Sequence, residues 1–181
     1  MSRPARNAPQ LIARFDLAEY RLCLRLNRTT EMRAVRLLFV AASRVGDGAL
    51  WYALVLALPL AFGSAALPAS TAMAVTGLGG LVLYKALKRT FVRERPFVRH
   101  RGLSLATAPL DRYSFPSGHT LHAVAFTWQA VHFAPGLGYV LVPLAALIAV
   151  SRVVLGLHYP TDVLVGAALG AALGAAGVAL A

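Results

Sequence analysis

The sequence predicts an all-α fold: a polytopic membrane bundle of five, or with one more crossing six, transmembrane helices, preceded by an amphipathic helix at the membrane interface. Three observations predict it. The 181 residues are 58% hydrophobic and only 14% charged, where a soluble domain carries roughly 25% charged residues. Lys, Arg, Asp and Glu are absent from Gly48 to Tyr84, from Tyr113 to Ser151 and from Val163 to Ala181; at about 20 apolar residues per crossing these stretches hold two, two and one spans. The basic residues are confined: of 18, nine precede residue 48, eight lie between Lys85 and Arg112, and only Arg152 lies beyond.

In chain order, residues 11–28 read as a basic amphipathic helix. Leu11, Phe15, Ala18, Leu22 and Leu26 recur at helical spacing, while Arg14, Arg21, Arg25 and Arg28 share another face, the pattern of a helix lying on a membrane. Met32–Ala42 is apolar but short and carries Arg33 and Arg36, so it is expected at the interface, or as the sixth span if residues 32–46 cross. The turn at 44–48 opens the first clear span. The spans fall near 49–65, 69–87, 119–134, 138–155 and 162–181, broken by Gly63, Ser64 and Pro68, by the polar segment 88–118, by Pro135–Gly136 and by Gly156–Pro160. Gly166, Gly170 and Gly174, four residues apart, suit close helix packing. Residues 1–48 thus form an interfacial segment and 49–181 a bundle, within one domain. Five crossings return the N-terminal helix, 88–118 and 152–162 to one face.

The net charge of +11 would suggest nucleic acid in a soluble chain, but basic blocks flanking spans meet anionic lipid headgroups or an anionic substrate instead. Cys23 is the single cysteine, so no intramolecular disulfide forms. Arginines interrupt the first 36 residues and no cleavable signal peptide is expected.

Three clusters carry chemistry. Arg152 and Asp162 are the only charged residues after Arg112; such groups face a polar cavity or the bundle interior. One reading pairs them as a structural ion pair or as an ion relay in a transporter or lipid-binding bundle. The other includes His158 between them, with Asp162 near enough to fix the imidazole tautomer and leave one nitrogen free to attack. Pro160 marks a helix start. In Pro116-Ser117-Gly118-His119 a turn leads into a helix N-terminus, where N–H groups and the dipole suit phosphate, Gly118 permits close approach, Ser117 adds a hydroxyl and His119 is placed to protonate a leaving oxygen. Lys88 and Arg95 are seven residues apart, two helical turns, so both are expected to point to one site before Pro96 ends the helix. Lys85, Arg89, Arg93, Arg99 and Arg101 are read as a solvated rim, and His100 and His132 as packed or exposed histidines outside the site; His122, one turn after His119, is within reach of the cavity, but a packed or exposed role is the reading preferred for it too.

Together the clusters resemble the signature of the type 2 phosphatidic acid phosphatase superfamily, K-x6-RP, PSGH and SR-x5-H-x3-D. Each element is matched in order: Lys88/Arg95/Pro96, Pro116–His119, and Ser151-Arg152/His158/Asp162. The resemblance implies a six-helix-type bundle and metal-independent hydrolysis of a phosphoester or pyrophosphate, with no cofactor. Lys88, Arg95 and Arg152 would hold phosphate oxygens beside Ser117 and the Gly118 backbone. His158 would form a phosphohistidine, oriented by Asp162, and His119 would act as acid and then base. A soluble vanadium-dependent haloperoxidase shares these residues, but the apolar spans argue against it.

The substrate is expected to be a lipid phosphate, first undecaprenyl diphosphate, with phosphatidylglycerophosphate, phosphatidate and lipid A phosphates as alternatives. The setting is a bacterial inner membrane. Bacterial relatives of this kind place the site on the periplasmic face, whereas the clustered arginines favour a cytoplasmic one by the positive-inside rule; the periplasmic face is the one adopted.

Overall fold

Proline, glycine and small polar residues set most of the helix ends. The computed structural model describes residues 8–100 and 102–181, with side chains from Arg14 onward, and every regular element among them is helical. Helices α1 (Ala8–Arg28) and α2 (Arg33–Val45) precede α3 (Ala49–Phe62) and α4 (Leu67–Thr90). The polar segment holds the short α5 (Pro96–Arg99), and α6 (Gly118–Phe133), α7 (Gly138–Val154) and α8 (Pro160–Ala179) complete the chain. Pro68, Pro96 and Pro160 each sit in the first turn of a helix, where the missing N–H costs nothing.

Among the described residues, three helical stretches are long and apolar enough to cross a membrane: Ala49–Thr90, Pro135–Val154 and Pro160–Ala179. The first doubles back. Gly63, at φ 68°, supplies a backbone conformation that L side chains avoid, and residues 51–55 of α3 then face residues 74–84 of α4 across one cavity. Leu56 and Leu60 of α3, Val75 and Val82 of α4, Tyr139 of α7 and Leu164 of α8 point outward, as lipid-facing side chains do. The chain is an integral membrane protein.

Helix α6 is the centre. Its 16 residues measure about 24 Å at 1.5 Å per residue, short of the roughly 30 Å hydrocarbon core. It packs on α4, α7 and α8, burying Leu121, Ala123, Ala125, Phe126 and Ala130. Trp51, Leu58, Met73, Leu141 and Ile148 close the main core around it. Gly166, Gly170 and Gly174 are buried in α8 against α6 backbone and side chains at Ser117, Leu121, Ala125 and Trp128, as their four-residue spacing predicts.

Helix α1 also docks on the bundle, by a face the sequence pattern does not mark. The arginine face is exposed and Phe15 and Leu22 point away from the protein. The side that docks is instead polar: Glu19, Cys23, Asn27 and, just beyond the helix, Thr30 are buried. Asn27 Nδ2 donates to Val154 O (2.9 Å) and Ser104 O (3.0 Å), and Cys23 Sγ lies 3.9 Å from His158 O. Helix α1 therefore straps the end of the bundle where both polar segments meet. The Leu11 side chain lies outside the described residues.

Candidate active site

Helix α4 delivers Lys88 to this end and stops at Thr90. Arg95 follows in extended backbone at φ −72°, ψ 150°, and Pro96 starts α5 rather than ending α4. The two cations therefore do not meet through helical periodicity. They meet on Asp111: its Oδ1 accepts from Lys88 Nζ and Arg95 Nη2, both at 2.7 Å. Lys88 Nζ also donates to Tyr113 O (2.7 Å) and Arg95 Nε to Asp111 O (3.0 Å). Burial alone would raise the Asp111 carboxyl, but the hydrogen bond and charge of Lys88, with Arg95, bring it below its usual value.

The third cation, Arg152, comes from the last turn of α7. It donates to Ser43 Oγ, and its buried Nε has no partner among the described residues. Gly156 at φ 71° then turns the chain, and the loop to α8 carries His158. His158 Nε2 is 3.3 Å from Arg95 Nη1, while Nδ1 is 3.7 Å from Asp162 Oδ2 and makes no hydrogen bond. Burial, followed by the charges of Arg95, Arg152 and Lys88, holds His158 well below the ordinary histidine value, as a neutral imidazole. In the first turn of α6, His119 Nε2 pairs with Asp47 Oδ1 at 2.5 Å.

These groups surround one cavity of about 320 Å³, lined by Asp47, Lys88, Arg95, Asp111, Gly118, His119, Arg152 and His158. It continues between α3 and α4 along Trp51, Tyr52, Val55, Leu78, Leu81 and Phe126. Gly77 keeps this channel narrow-walled but open: a Cβ there would stand 2.8 Å from Phe126 Cζ. A polar chamber thus runs into an apolar groove, the shape an amphiphile requires.

Six of the eight residues singled out from the sequence line this cavity. Ser117 and Asp162 do not. Ser117 Oγ is fully buried and 3.0 Å from Thr120 Oγ1. Asp162 lies behind His158, its Oδ2 accepting from Tyr159 N (2.8 Å) and its Oδ1 from Arg93 Nη1 (2.6 Å). The Arg152–Asp162 pair of the alternative reading does not form: Arg152 turns to Ser43 and Asp162 to Arg93, which removes the basis of the ion relay.

Arg93 is no rim residue. It bridges Asp162 to Glu19 (2.6 Å), bonds Thr161 Oγ1 (2.7 Å) and lies 4.0 Å above the Tyr159 ring. Arg101 lies outside the described residues. His122, expected outside the site, lines the cavity and bonds Gly118 O and Gly77 O at 2.9 and 3.1 Å. Asp47, Asp111, Glu19 and Ser43 were missed from the sequence. Scarcity was the available signal: the chain has seven acidic residues, and four of them, Glu19, Asp47, Asp111 and Asp162, gather here.

The PAP2 superfamily profile matches residues 49–181. Undecaprenyl-diphosphatase BcrC of Bacillus subtilis is 37% identical over 90 residues, which cover 50% of this chain and 46% of that protein. The decaprenylphosphoryl-5-phosphoribose phosphatase of Mycobacterium tuberculosis is 38% identical over 105 residues, 56% of each. The chain thus matches about half the length of these curated relatives. The crystal structure of Aquifex aeolicus LpxE superposes with a TM-score of 0.75 at 26% identity, over 86% of this chain and 92% of that one.

Proposed function

The chain belongs to the PAP2 superfamily, and from that premise we propose that it hydrolyses a polyprenyl diphosphate, undecaprenyl diphosphate first, at the membrane surface. The observation that carries this reading is the cavity itself: three cations with His119 and His158 at one end, an apolar groove between α3 and α4 at the other. The groove suits a long-chain lipid better than a soluble phosphate, and both curated relatives described above bear names of polyprenyl-linked substrates. Phosphatidylglycerophosphate, phosphatidate and lipid A phosphates are the competing substrates.

Lys88, Arg95 and Arg152 bind the terminal phosphate and stabilise the charge that grows on its oxygens. For phosphate to reach Lys88 and Arg95, Asp111 shares or yields its place between them. His158, neutral, attacks phosphorus through Nε2. The bond to the bridging oxygen breaks, and His119 gives that oxygen a proton as the lipid monophosphate leaves. Asp162 behind the ring stabilises the cationic phosphohistidine. His119 then takes a proton from water, the water oxygen bonds to phosphorus, the P–N bond breaks and inorganic phosphate departs. The Gly118 backbone, at the N-terminus of α6, adds donors for the anion, and Ser117 supports that turn through Thr120.

The side of the membrane belongs to the same reading. We take the site as periplasmic in a bacterial inner membrane, with residues 1–48 docked at the interface among anionic headgroups. A reporter fused after Ala181 tests this, because the C-terminus lies opposite the site: a fluorescent cytoplasmic reporter fits, and alkaline phosphatase activity there refutes it.

The deciding experiment is phosphate release by purified protein from a panel of lipid phosphates and diphosphates. Undecaprenyl diphosphate is expected to be the best substrate, and His158→Ala and His119→Ala each to lose on the order of a hundredfold or more. Covalent phosphate is expected to vanish in the first variant and to accumulate from an activated substrate in the second. Label on Ser117, or full activity in His158→Ala, would overturn the mechanism.

A further inference from the structure

Helix α1 precedes the stretch that the family profile matches, yet it buries a carboxylate beside the nucleophile loop. Glu19 is 5% exposed. Its Oε1 accepts from Thr161 N at 2.9 Å and Thr161 Oγ1 at 2.7 Å, and its Oε2 accepts from Arg93 Nη2 at 2.6 Å. The same guanidinium reaches Asp162 Oδ1 with Nη1 at 2.6 Å. One arginine is thereby held between two buried carboxylates, and the second of them backs His158.

The arrangement has a consequence for His158. Arg93 fixes Asp162 so that Oδ2 faces Tyr159 N and the His158 ring. Were Asp162 the sole anion available to Arg93, the guanidinium fork would close on both its oxygens, the usual arginine–carboxylate geometry. Asp162 would then turn from His158 with its charge largely neutralised. Glu19 prevents this by taking one arm of the fork. Resting on the phosphatase reading above, we propose that Glu19 and Arg93 are positioning residues for the nucleophile: they keep Asp162 aimed at His158 and charged enough to stabilise the imidazolium that phosphorylation creates.

A merely structural latch would show itself differently. Glu19→Gln keeps an oxygen for Thr161 and removes the charge facing Arg93, so α1 stays docked while the fork is released. With the full chain and undecaprenyl diphosphate in detergent micelles, kcat of Glu19→Gln is expected to fall about tenfold with KM within about twofold of wild type. Glu19→Asp, which restores the charge, is expected to recover part of kcat. Asn27→Ala loosens the same strap without touching the fork, and it is expected to lower the unfolding temperature without the kcat loss. If Glu19→Gln does not accumulate folded, Arg93→Lys decides, since one ammonium cannot span both carboxylates, and the same kcat-specific loss is expected. Wild-type kcat in the folded variant overturns the proposal, as do equal kcat losses in Glu19→Gln and Asn27→Ala at matched unfolding temperatures. A wild-type protein inactive on every lipid phosphate would instead refute the phosphatase reading.

Discussion

Replacing Gly166 by alanine tests how closely packing and chemistry are joined. In α8 a Cβ at Gly166 would lie 2.6 Å from the carbonyl oxygen of Ser117 and 3.3 Å from its Cβ. Ordinary contact begins near 3.4 Å, so the start of α6 and the body of α8 must part by about 0.8 Å. Neither neighbour is a flexible side-chain tip. Ser117 N also donates to Asp162 O at 3.0 Å, so the shift reaches the residues behind His158 as well as Gly118 and His119. Overpacking of this kind costs about 1–3 kcal/mol of stability. A displacement approaching 1 Å in a catalytic group costs up to roughly a hundredfold in rate, so kcat is expected to fall ten- to a hundredfold. The assay is phosphate release in detergent, alongside a thermal unfolding scan. Gly79→Ala is the control: its Cβ meets nothing within 4 Å, and it gains helix propensity worth up to about 1 kcal/mol at unchanged rate. Wild-type kcat in Gly166→Ala would refute the argument that this helix contact sets the site geometry.

Asp111→Asn removes a negative charge from between Lys88 and Arg95, so vanadate and phosphate are expected to inhibit roughly three- to tenfold more tightly, discounted for the partial exposure of Asp111; unchanged inhibition constants would mean that the carboxylate does not compete with the anion. Because Lys88, Arg95 and Arg152 supply the charge that a divalent ion would bring, hydrolysis is expected to survive a chelator, and strict magnesium dependence counts against the mechanism. On the proposed mechanism the neutral form of His158 attacks, and its pKa is lowered, so phosphohistidine formation is expected to be lost only as pH falls through a value below 6.5. Rapid-quench labelling checks this, with Lys88→Met expected to move the limb upward because one cation facing the ring is gone; a wild-type limb at or above 6.5 contradicts it.

The helices were legible because their signals are local. Pro160 and the Ser117-Gly118 turn start α8 and α6 in the structure as in the sequence, and three glycines four apart read directly as a packing face. The convergence of Lys88 with Arg95 was foreseen for the wrong reason: α4 ends five residues before Arg95, and Asp111 brings the two together. Nothing in sequence spacing ties Asp111 to them, since the polar segment has no periodicity and the contact exists only after the chain folds back. Arg93 and Glu19 escaped for a related reason. Arg21 beside Glu19, and Arg89 and Glu94 beside Arg93, are exposed, and only burial separates a structural charge from a solvated one. Apolar patterning reports which face a helix hides; it is silent when the hidden face is polar, as in α1.

The strap formed by α1 also bears on the order of assembly. Its partners follow it far along the chain: Glu19 bonds Thr161 across 142 residues, Cys23 meets His158 across 135 and Asn27 reaches Val154 across 127. At roughly 5–20 residues per second, translation leaves α1 without them for on the order of ten seconds. Over that interval its carboxylate and amide stay solvated, and its outward Phe15 and Leu22 give it a resting place against lipid. Closing so long a loop adds little further entropy cost, so the delay is one of timing, not of stability. The strap therefore closes in a late event, when the loop carrying His158 emerges and α1, made 135 residues earlier at Cys23, packs against it.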